Sequence, residues 1–472
     1  MKPSFEKLFP AGCEAYVKSR CQAFVDTHGR PPRVHLRTFG CQQNEADSER
    51  MAGIAESMGY VFTDDPEQAE FILYNTCAVR EHAELKALSL TGQLKHLKAK
   101  NPHLIIGICG CMVAQEHRLD DIKNKYPYVD FLFGTASMER LPEYLAVALQ
   151  QGKRAFYPDT DYGIPEGLPV RRESTFKAWV SIMYGCNNFC TYCVVPYVRG
   201  RERSRHRECI LEEIRALVKN GCREITLLGQ NVNSYGKGLY EDYGFAELLT
   251  DICAIEGDYW IRFMTSHPKD ASHKLIDVIA AHSGDDCRPK IVKQFHLPLQ
   301  SGSSRVLKAM NRHYDREAYR ALITYMKDKI PDIALSTDII VGFPGETEED
   351  FADTLSMLEE VRYDAFFSFI YSIRRGTPAE KMEQVPEAVK SERFARMLDL
   401  QNRISREKNQ EYIGRIERVL VEGTSKTDDT LLTGRNEKNR LVHFAGAPSL
   451  IGSFAEVKIL SADTYCLTGE LL

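Results

Sequence analysis

Three cysteines close together in the sequence, Cys186, Cys190 and Cys193, form the sharpest chemical feature of the chain. They lie in a CxxxCxxC pattern directly after an apolar run that predicts a β-strand. Three thiolates in so short a loop are typical ligands of an iron–sulfur cluster, and a cluster with three protein ligands keeps one iron open to an exogenous ligand. Buried free thiols and structural zinc are the alternatives, but zinc normally takes CxxC pairs and a fourth protein ligand, and only His206 lies nearby.

A second set of three cysteines, Cys41, Cys77 and Cys111, is spread over about 70 residues. Each of them follows an apolar run that predicts a strand. The carboxyl ends of parallel strands meet in one crevice, so these three thiols are expected to converge there. Simple burial of unrelated cysteines is the alternative. Cys109 lies two residues from Cys111, and alternation along the strand predicts that it faces the other side of the sheet.

The elements that must position these cysteines follow from the pattern of apolar runs. Strands predicted at 33–39, 71–74 and 104–108 alternate with helices at 44–58 and 80–97, which indicates an open α/β domain. After a stretch rich in Asp, Gly and Pro, six further strand–helix units predict an open partial (β/α)₆ barrel, because a full (β/α)₈ barrel needs two more. Short strands near the C-terminus predict a small β-barrel.

The predicted organisation therefore has five parts. They are an N-terminal extension (1–30), an α/β domain (31–155), a linker (156–171), the partial barrel (172–408) and the small β-barrel (409–472). The six strands of the partial barrel are predicted at 179–183, 224–228, 260–264, 292–296, 333–340 and 364–370, and those of the small barrel at 419–422, 440–444 and 456–460.

Composition excludes several classes of protein. With 472 residues, 43% hydrophobic and 27% charged, the chain is neither fibrous nor largely disordered, and no apolar run approaches the length of a membrane span. Lys2, Glu6 and Lys7 stand where a signal peptide would need its apolar core, which predicts a cytoplasmic protein whose cysteines remain thiols. Because the net charge is -5, an RNA partner must be held by a local basic surface.

The cysteine loop resembles that of the radical S-adenosylmethionine (SAM) superfamily, and the upstream domain resembles the methylthiotransferases within it. The C-terminal barrel resembles the TRAM RNA-binding domain. Within the methylthiotransferase family, residues 194–205 resemble the corresponding segment of the MiaB-type branch, which acts on isopentenyladenosine in tRNA. These residues read Val-Val-Pro-Tyr-Val-Arg-Gly-Arg-Glu-Arg-Ser-Arg. One departure is Gln42-Gln43, where many members carry Gln-Met. The segments that carry the resemblance are 38–41, 75–81, 110–112, 194–205, 229–235 and 434–440.

The resemblance implies two [4Fe–4S] clusters. The open iron of the first would bind SAM, whose one-electron reduction gives a 5′-deoxyadenosyl radical. Such a radical can activate the carbon–hydrogen bond at carbon 2 of adenine, which no acid or base side chain does near neutral pH. An auxiliary cluster would present or donate sulfur, which a second SAM methylates. The implied ligands are Cys186, Cys190 and Cys193 for the radical SAM cluster and Cys41, Cys77 and Cys111 for the auxiliary cluster.

The resemblance also implies SAM contacts at the carboxyl ends of the barrel strands, where glycines permit close approach and polar groups can pair with the cofactor. Ordinary turn chemistry is the alternative for these residues. The implied SAM contacts are Gly229, Gln230, Asn231, Ser266, Gln300, Ser301, Gly302, Gly342 and Glu346.

Two groups of basic residues are candidates for RNA contact. One follows the cysteine loop, where pairing with Glu202 and Glu208 on a solvated face is the alternative. The other lies in the C-terminal barrel, which has seven Lys or Arg from residue 411 onward against nine Asp or Glu, so we expect one face of it to touch phosphate. The predicted RNA contacts are Arg199, Arg201, Arg203, Arg205, Arg435, Lys438 and Arg440.

The predicted reaction is methylthiolation of carbon 2 of isopentenyladenosine at position 37 of tRNA, next to the anticodon, with two SAM molecules as methyl donor and radical source. A flipped-out anticodon-loop base would be the reacting group. We expect a flavodoxin or ferredoxin as electron donor and a monomer without a membrane partner. The alternatives are methylthiolation of threonylcarbamoyl-adenosine or of a ribosomal-protein aspartate and, from another class, an iron–sulfur electron-transfer or RNA-binding protein without SAM chemistry.

Overall fold

The computed structural model of the chain describes residues 11–79, 81–151, 154–157, 163–284, 290–426 and 428–472. Within these residues no helix combines the length and the apolar character needed to cross a membrane. The chain divides into two compact units. The first unit holds the described residues up to Glu173 together with Tyr184–Asn187 and Val194–Arg203, and the second holds Ser174–Met183, Asn188–Cys193 and Ser204–Leu472.

The first unit is built on a six-stranded sheet covered by helices. Its elements are α1 (Cys13–His28), β1 (Arg33–Thr38), α2 (Gln42–Ser57), β2 (Val61–Phe62), β3 (Phe71–Thr76), α3 (Glu81–Lys100), β4 (Ile105–Gly110), α4 (Glu116–Lys125), β5 (Phe131–Phe133), α5 (Leu141–Gln151) and β6 (Ala155–Tyr157).

All six strands of this sheet are parallel, in the order β2-β1-β3-β4-β5-β6. Every residue of β3 and β4 is buried, as expected for apolar strands covered on both faces. One apolar core contains Val17, Ile54 and Tyr144 from α1, α2 and α5, and the other contains Ala87 and Ile122 from α3 and α4. The predicted open α/β domain is therefore confirmed.

The short elements of the first unit differ from the sequence prediction. Strands β2, β5 and β6 have two or three residues each and give no periodic signal. Strand β6 overlaps the start of the linker predicted at 156–171, whose residues 158–162 lie outside the described part of the chain. The predicted extension forms α1, and Val17 and Cys21 of this helix are buried in the first core, whereas residues 1–10 are not described.

The chain after residue 173 contains the barrel and the C-terminal domain. Its elements before the C-terminal domain are β7 (Lys177–Ser181), β8 (Met183–Tyr184), α6 (Val195–Arg199), β9 (Arg203–Ser204), α7 (Arg207–Lys219), β10 (Glu224–Leu228), α8 (Phe245–Cys253), β11 (Trp260–Phe263), α9 (His273–His282), β12 (Gln294–His296), α10 (Ser304–Ala309), α11 (Arg316–Lys329), β13 (Ala334–Val341), α12 (Glu348–Val361), β14 (Ala365–Ile370) and α13 (Glu387–Gln410).

Six parallel strands of the second unit form the predicted partial barrel. Strands β11, β10 and β7 pair in that order, as do β12, β13 and β14. A bridge between Ile261 and Ile291 joins the two groups. Fully buried aliphatic and aromatic side chains, among them Ile225 and Phe295, form one continuous core between the strands and the helices. This arrangement confirms the (β/α)₆ prediction.

The C-terminal domain is a closed barrel of five strands in the order β15-β16-β17-β19-β18. Its core contains Val419, Val442, Phe444 and Val457. Two of its strands, β16 and β19, were not predicted, because glycine and polar residues interrupt their apolar pattern. The strands are β15 (Ile416–Thr424), β16 (Leu431–Asn436), β17 (Leu441–Ala445), β18 (Phe454–Ala462) and β19 (Cys466–Leu471).

Candidate functional site

The structure brings the loops of Cys41, Cys77 and Cys111 together at one edge of the first sheet. Each loop follows the carboxyl end of a strand, β1, β3 or β4, and these strands are neighbours. Gly40 has a φ of 142°, and a Cβ atom there would lie 2.6 Å from Cys77 Cβ and 3.1 Å from its Sγ. The Cys111 amide donates to the Thr76 carbonyl oxygen at 2.9 Å. The close packing of these loops explains why a glycine precedes Cys41.

Each of these three sulfurs has a polar neighbour. Cys41 Sγ lies 3.2 Å from Asn44 Oδ1, the Val79 amide donates to Cys77 Sγ at 3.3 Å, and Arg199 Nε donates to Cys111 Sγ at 3.2 Å. The pKa of the Cys111 thiol is raised to about 12, chiefly by burial, with Cys77 and Cys41 adding to the rise and Arg199 opposing it. The N–H bonds that Cys77 and Cys111 accept stabilise thiolates, so this all-sulfur donor set fits an iron–sulfur cluster.

Cys109 is not part of this group, because its sulfur lies in the apolar core, 3.7 Å from Met51 Sδ. Among the described residues, no three His, Cys, Asp or Glu side chains are grouped to hold a single metal ion. A cluster of four irons has thiolate ligands that are farther apart than those of one ion.

The CxxxCxxC loop is fixed by backbone contacts in each unit. In the first unit the Cys186 amide donates to the Gly200 carbonyl oxygen at 3.1 Å, and Cys186 is buried. In the second unit the Cys193 amide donates to the Cys190 carbonyl oxygen at 3.0 Å, and Asn311 Nδ2 donates to the Phe189 carbonyl oxygen at 3.0 Å. The sequence places the three thiols within eight residues, and these bonds shape the loop that carries them.

Arg312 is a site residue that sequence reasoning missed. Its Nη1 donates to Cys190 Sγ at 3.2 Å, and its Nε donates to Tyr314 Oη at 3.2 Å. The side chain is buried, so a charged N–H group is directed at a candidate cluster ligand. No sequence signal could have found it, because Arg312 lies 122 residues from Cys190 in the chain.

Three of the implied SAM contacts carry polar atoms that suit a ligand. Asn231 Oδ1, Ser266 Oγ and Gln300 Oε1 are buried, and within the described part of the chain none of them has a hydrogen-bond partner. They follow β10, β11 and β12 at the carboxyl edge of the barrel. His267 Nε2 is a fourth such atom, which its position next to Ser266 could have indicated. Buried polar atoms normally have partners, so this group indicates a polar ligand.

The other implied SAM contacts have local structural partners. The Gly302 amide donates to Thr354 Oγ1 at 2.9 Å, and Ser301 Oγ lies 3.4 Å from the same oxygen. The Glu346 carboxylate accepts a hydrogen bond from the Gly342 amide at 2.8 Å and pairs with Arg393 at 3.0 Å. Gly229 packs against Met183, and Gln230 follows it at the end of β10.

The basic segment after the cysteine loop does not present all its arginines to solvent. Arg199 is buried and pairs with Asp47 at 3.0 Å. Arg205 is buried too, with Glu213 at 2.8 Å and the Ser181 carbonyl oxygen at 2.7 Å. Arg201 is exposed and Arg203 is half-buried. Buried, paired guanidinium groups do not fit the RNA contacts predicted for Arg199 and Arg205.

The basic loop of the C-terminal barrel packs on the (β/α)₆ barrel. Arg440 pairs with Asp364 at 2.7 Å, and Lys438 pairs with Asp332 at 2.7 Å. Arg262 of β11 donates to the carbonyl oxygens of residues 436 and 437 at 2.8 and 3.0 Å. The RNA contacts predicted for Lys438 and Arg440 therefore do not fit, because both side chains are buried in domain packing. Arg435 is half-buried and donates to the Asn439 carbonyl oxygen at 3.1 Å.

Three family models match consecutive parts of the chain. Residues 33–134 match the model described as uncharacterized protein family UPF0004, residues 180–358 match the radical SAM superfamily, and residues 410–472 match the TRAM domain. Among solved structures, the radical S-adenosylmethionine methyltransferase TsrM from Kitasatospora setae superposes with a TM-score of 0.53 at 12% identity, over 74% of this chain and 75% of that one. At that identity the likeness concerns the fold alone.

Curated relatives are similar over nearly the whole chain. The tRNA-2-methylthio-N(6)-dimethylallyladenosine synthase of Clostridium perfringens is 54% identical over 439 residues, which cover 93% of this chain and 97% of that protein. The synthase of Alkaliphilus oremlandii is 52% identical, with 95% and 94% covered. The synthase of Thermoanaerobacter pseudethanolicus is 51% identical, with 95% and 94% covered. The chain therefore belongs to the tRNA-2-methylthio-N(6)-dimethylallyladenosine synthase family of radical SAM enzymes.

Proposed function

We infer that this protein methylthiolates carbon 2 of isopentenyladenosine at position 37 of tRNA. The observation that carries this inference is identity of 51–54% to synthases of that name over more than nine-tenths of the chain. Two cysteine triads in the domains that the chemistry requires agree with it. The TRAM domain is consistent with a tRNA substrate.

The two cysteine triads are proposed to hold different [4Fe–4S] clusters. Cys186, Cys190 and Cys193 would hold the radical SAM cluster, and the auxiliary cluster would bind where the loops of the other triad converge. When bound, these clusters supply the electron that cleaves SAM and the sulfur that enters the product. The chain itself contributes thiolate ligands, and Arg199 and Arg312 donate hydrogen bonds to a ligand sulfur in each set.

The SAM and RNA contacts remain proposals about individual side chains. Buried polar atoms that lack partners among the described residues favour Asn231, Ser266 and Gln300 as SAM ligands. Exposure favours Arg201 for phosphate, and Arg203 and Arg435, which are half-buried, remain the other proposed phosphate contacts. We retain the division 1–30, 31–155, 156–171, 172–408 and 409–472 as a working set of domains. The remaining proposed SAM contacts are Gly229, Gln230, Ser301, Gly302, Gly342 and Glu346.

We further propose that the protein acts as a cytoplasmic monomer and receives its electrons from a flavodoxin or ferredoxin. Buried thiols and thiolate clusters need a reducing compartment, which supports the cytoplasm. A one-electron donor of low potential is required to reduce SAM through a cluster.

The test uses anaerobically reconstituted protein with SAM, a strong reductant and two tRNAs, one isopentenylated and one not. Nucleoside mass spectrometry should find the methylthio product only in the isopentenylated tRNA. The Cys111→Ala variant should lose this product, whereas Cys109→Ala, a matched control in the apolar core, should keep it. Cleavage of SAM without change in either tRNA would refute the substrate and direct the assay to threonylcarbamoyl-adenosine or a ribosomal-protein aspartate. Intact SAM would favour an electron-transfer protein.

A further inference from the structure

Arg199 belongs to the basic segment, yet its guanidinium group contacts a candidate cluster ligand. Its Nε donates to Cys111 Sγ at 3.2 Å, and its Nη2 donates to Asp47 Oδ2 at 3.0 Å and to Asn44 Oδ1 at 3.3 Å. All these residues belong to the first unit. A side chain predicted to bind phosphate is thus directed into the cysteine site.

The backbone around Arg199 is fixed to the cysteine loops. Arg199 is the last residue of α6, and the side chains of Val194 and Val198 pack with Ala78 and Cys111 in a small apolar cluster. Thr135 Oγ1 donates to the Val198 carbonyl oxygen at 2.9 Å. The arginine therefore enters the site from a backbone segment that packing already holds, so little further backbone freedom is lost when its side chain binds.

Two oxygen acceptors, on Asp47 and Asn44, bind the guanidinium group of Arg199 and orient it. Arg199 and Asp47 side chains are each 5% exposed, and a buried guanidinium is stable only with such a partner. Asn44 Oδ1 accepts from Arg199 Nη2 and also from the Cys41 thiol at 3.2 Å; a thiolate ligand cannot make the second bond, whereas the first is kept. Asp47 and Asn44 together leave Nε directed at the sulfur of Cys111.

We propose that Arg199 is a positioning residue for the auxiliary cluster: it fixes Cys111, and its charged N–H bond to the ligand sulfur raises the reduction potential of the cluster. This inference rests on the proposed function, because it presupposes a cluster bound by these cysteines. Reduction adds a negative charge, so a nearby positive charge and a hydrogen bond to sulfur favour the reduced form. The negative charge of Asp47 lowers the reduction potential and so opposes this effect, but its hydrogen bond to Arg199 holds the guanidinium group in the orientation that reaches Cys111 Sγ.

The test measures the midpoint potential of the auxiliary cluster by redox titration with electron paramagnetic resonance. The parent protein is the full chain with Cys186, Cys190 and Cys193 replaced by alanine, so that only the auxiliary cluster loads. Iron per chain and the thermal unfolding midpoint are measured on the same samples. Four irons per chain are expected in the parent protein.

Removal of each charge should shift the potential in opposite directions. Arg199→Gln should lower the midpoint potential by about 59 mV, a tenfold change in a one-electron equilibrium, and Asp47→Asn should raise it. Arg199→Lys keeps the charge without the planar fork and should restore part of the shift. Arg154→Gln is the matched control, because Arg154 donates to three backbone carbonyl oxygens near the amino ends of the strands; it should lower stability without changing the potential.

The outcomes separate this inference from the proposed function. A parent protein that binds fewer than four irons at Cys41, Cys77 and Cys111 refutes the auxiliary cluster itself and this inference with it. A parent with four irons whose potential is unchanged by Arg199→Gln refutes the inference alone. If Arg199→Gln does not fold, Asp47→Asn and Arg199→Lys test the inference instead. An unchanged or lowered midpoint potential in Asp47→Asn overturns the inference. A shift in the midpoint potential of Arg199→Lys larger than that expected for Arg199→Gln overturns it as well.

Discussion

Replacement of Arg440 by glutamine tests whether the basic loop of the C-terminal barrel holds the domain in place or binds RNA. Both Arg440 and Asp364 are less than 10% exposed, and the guanidinium group donates two bonds of 2.7 Å to the aspartate backbone oxygen and carboxylate. Breaking a buried pair costs about 3–5 kcal/mol. Lys408 still pairs with Asp364 at 2.7 Å, so we expect a loss near the lower limit, about 3 kcal/mol.

The assay combines urea unfolding with tRNA binding at several salt concentrations. Trp260 lies in β11, 4.6 Å from the ring of Phe454 in the C-terminal barrel, so its fluorescence reports on this contact. Arg440→Gln should lower the unfolding free energy and leave the slope of log K against log salt unchanged. Arg435→Gln is the control: its loose pair with Glu422 at 3.7 Å predicts a stability loss below about 1 kcal/mol. In the tRNA-binding assay, a variant that loses one phosphate contact should reduce the slope of log K against log salt by about 0.7 to 0.9.

A smaller salt slope for Arg440→Gln with full stability would refute this reasoning, since the loop would then face RNA rather than the barrel. An equal loss of stability in both variants would also count against it, because their burial differs.

Three other variants test separate parts of the structure. Gly40→Ala should lower the iron content and the free energy of unfolding, the latter by about 1–3 kcal/mol, because its Cβ would contact Cys77. Gly29→Ala is the control, since Gly29 also has a positive φ but has open space around it, and this variant should keep its iron. Equal iron contents in both variants would contradict this explanation. Burial raises the pKa of Glu224, but its two cationic partners outweigh burial and lower it from 4.5 to about 2. Urea unfolding of Glu224→Gln should therefore show a loss of unfolding free energy of about 3 kcal/mol at pH 7, and this loss should shrink as the pH falls from 4.5 towards 2. A stability difference between the two proteins that does not change with pH would exclude this linkage. Ser266→Ala should weaken SAM binding in calorimetry about threefold to tenfold without loss of stability, since the hydroxyl has no partner within the described residues, and unchanged affinity would remove Ser266 from the site.

The fold and the cysteine loops could be predicted because each depends on short-range patterns. Runs predicted as strands at 33–39, 71–74 and 104–108 identified β1, β3 and β4, and a general property of parallel sheets then brought Cys41 and Cys111 to one edge. The strands β5 and β6 were missed, because three residues cannot show a period.

The direction of the basic side chains could not be predicted. Arg199 and Arg201 have the same residue type and adjacent local sequence, yet one is buried and the other exposed. The partner of Arg199, Asp47, lies 152 residues away, and that of Arg440 lies 76 residues away. A cluster of arginines indicates positive charge, but only tertiary contacts decide whether that charge meets solvent or an internal carboxylate.

The contribution of Val194–Arg203 to the first unit limits how this protein can be divided. A fragment that ends at Glu173 would keep all three auxiliary cysteines but lose Val194, Val198 and Arg199, which cover and contact Cys111. Such a fragment would expose an apolar patch and leave the Asp47 carboxylate without its buried counter-ion. Gene fusions, domain exchanges and split versions of this enzyme should therefore keep the first unit up to Glu173 together with the decapeptide after Cys193, although residues of the second unit lie between them in the sequence.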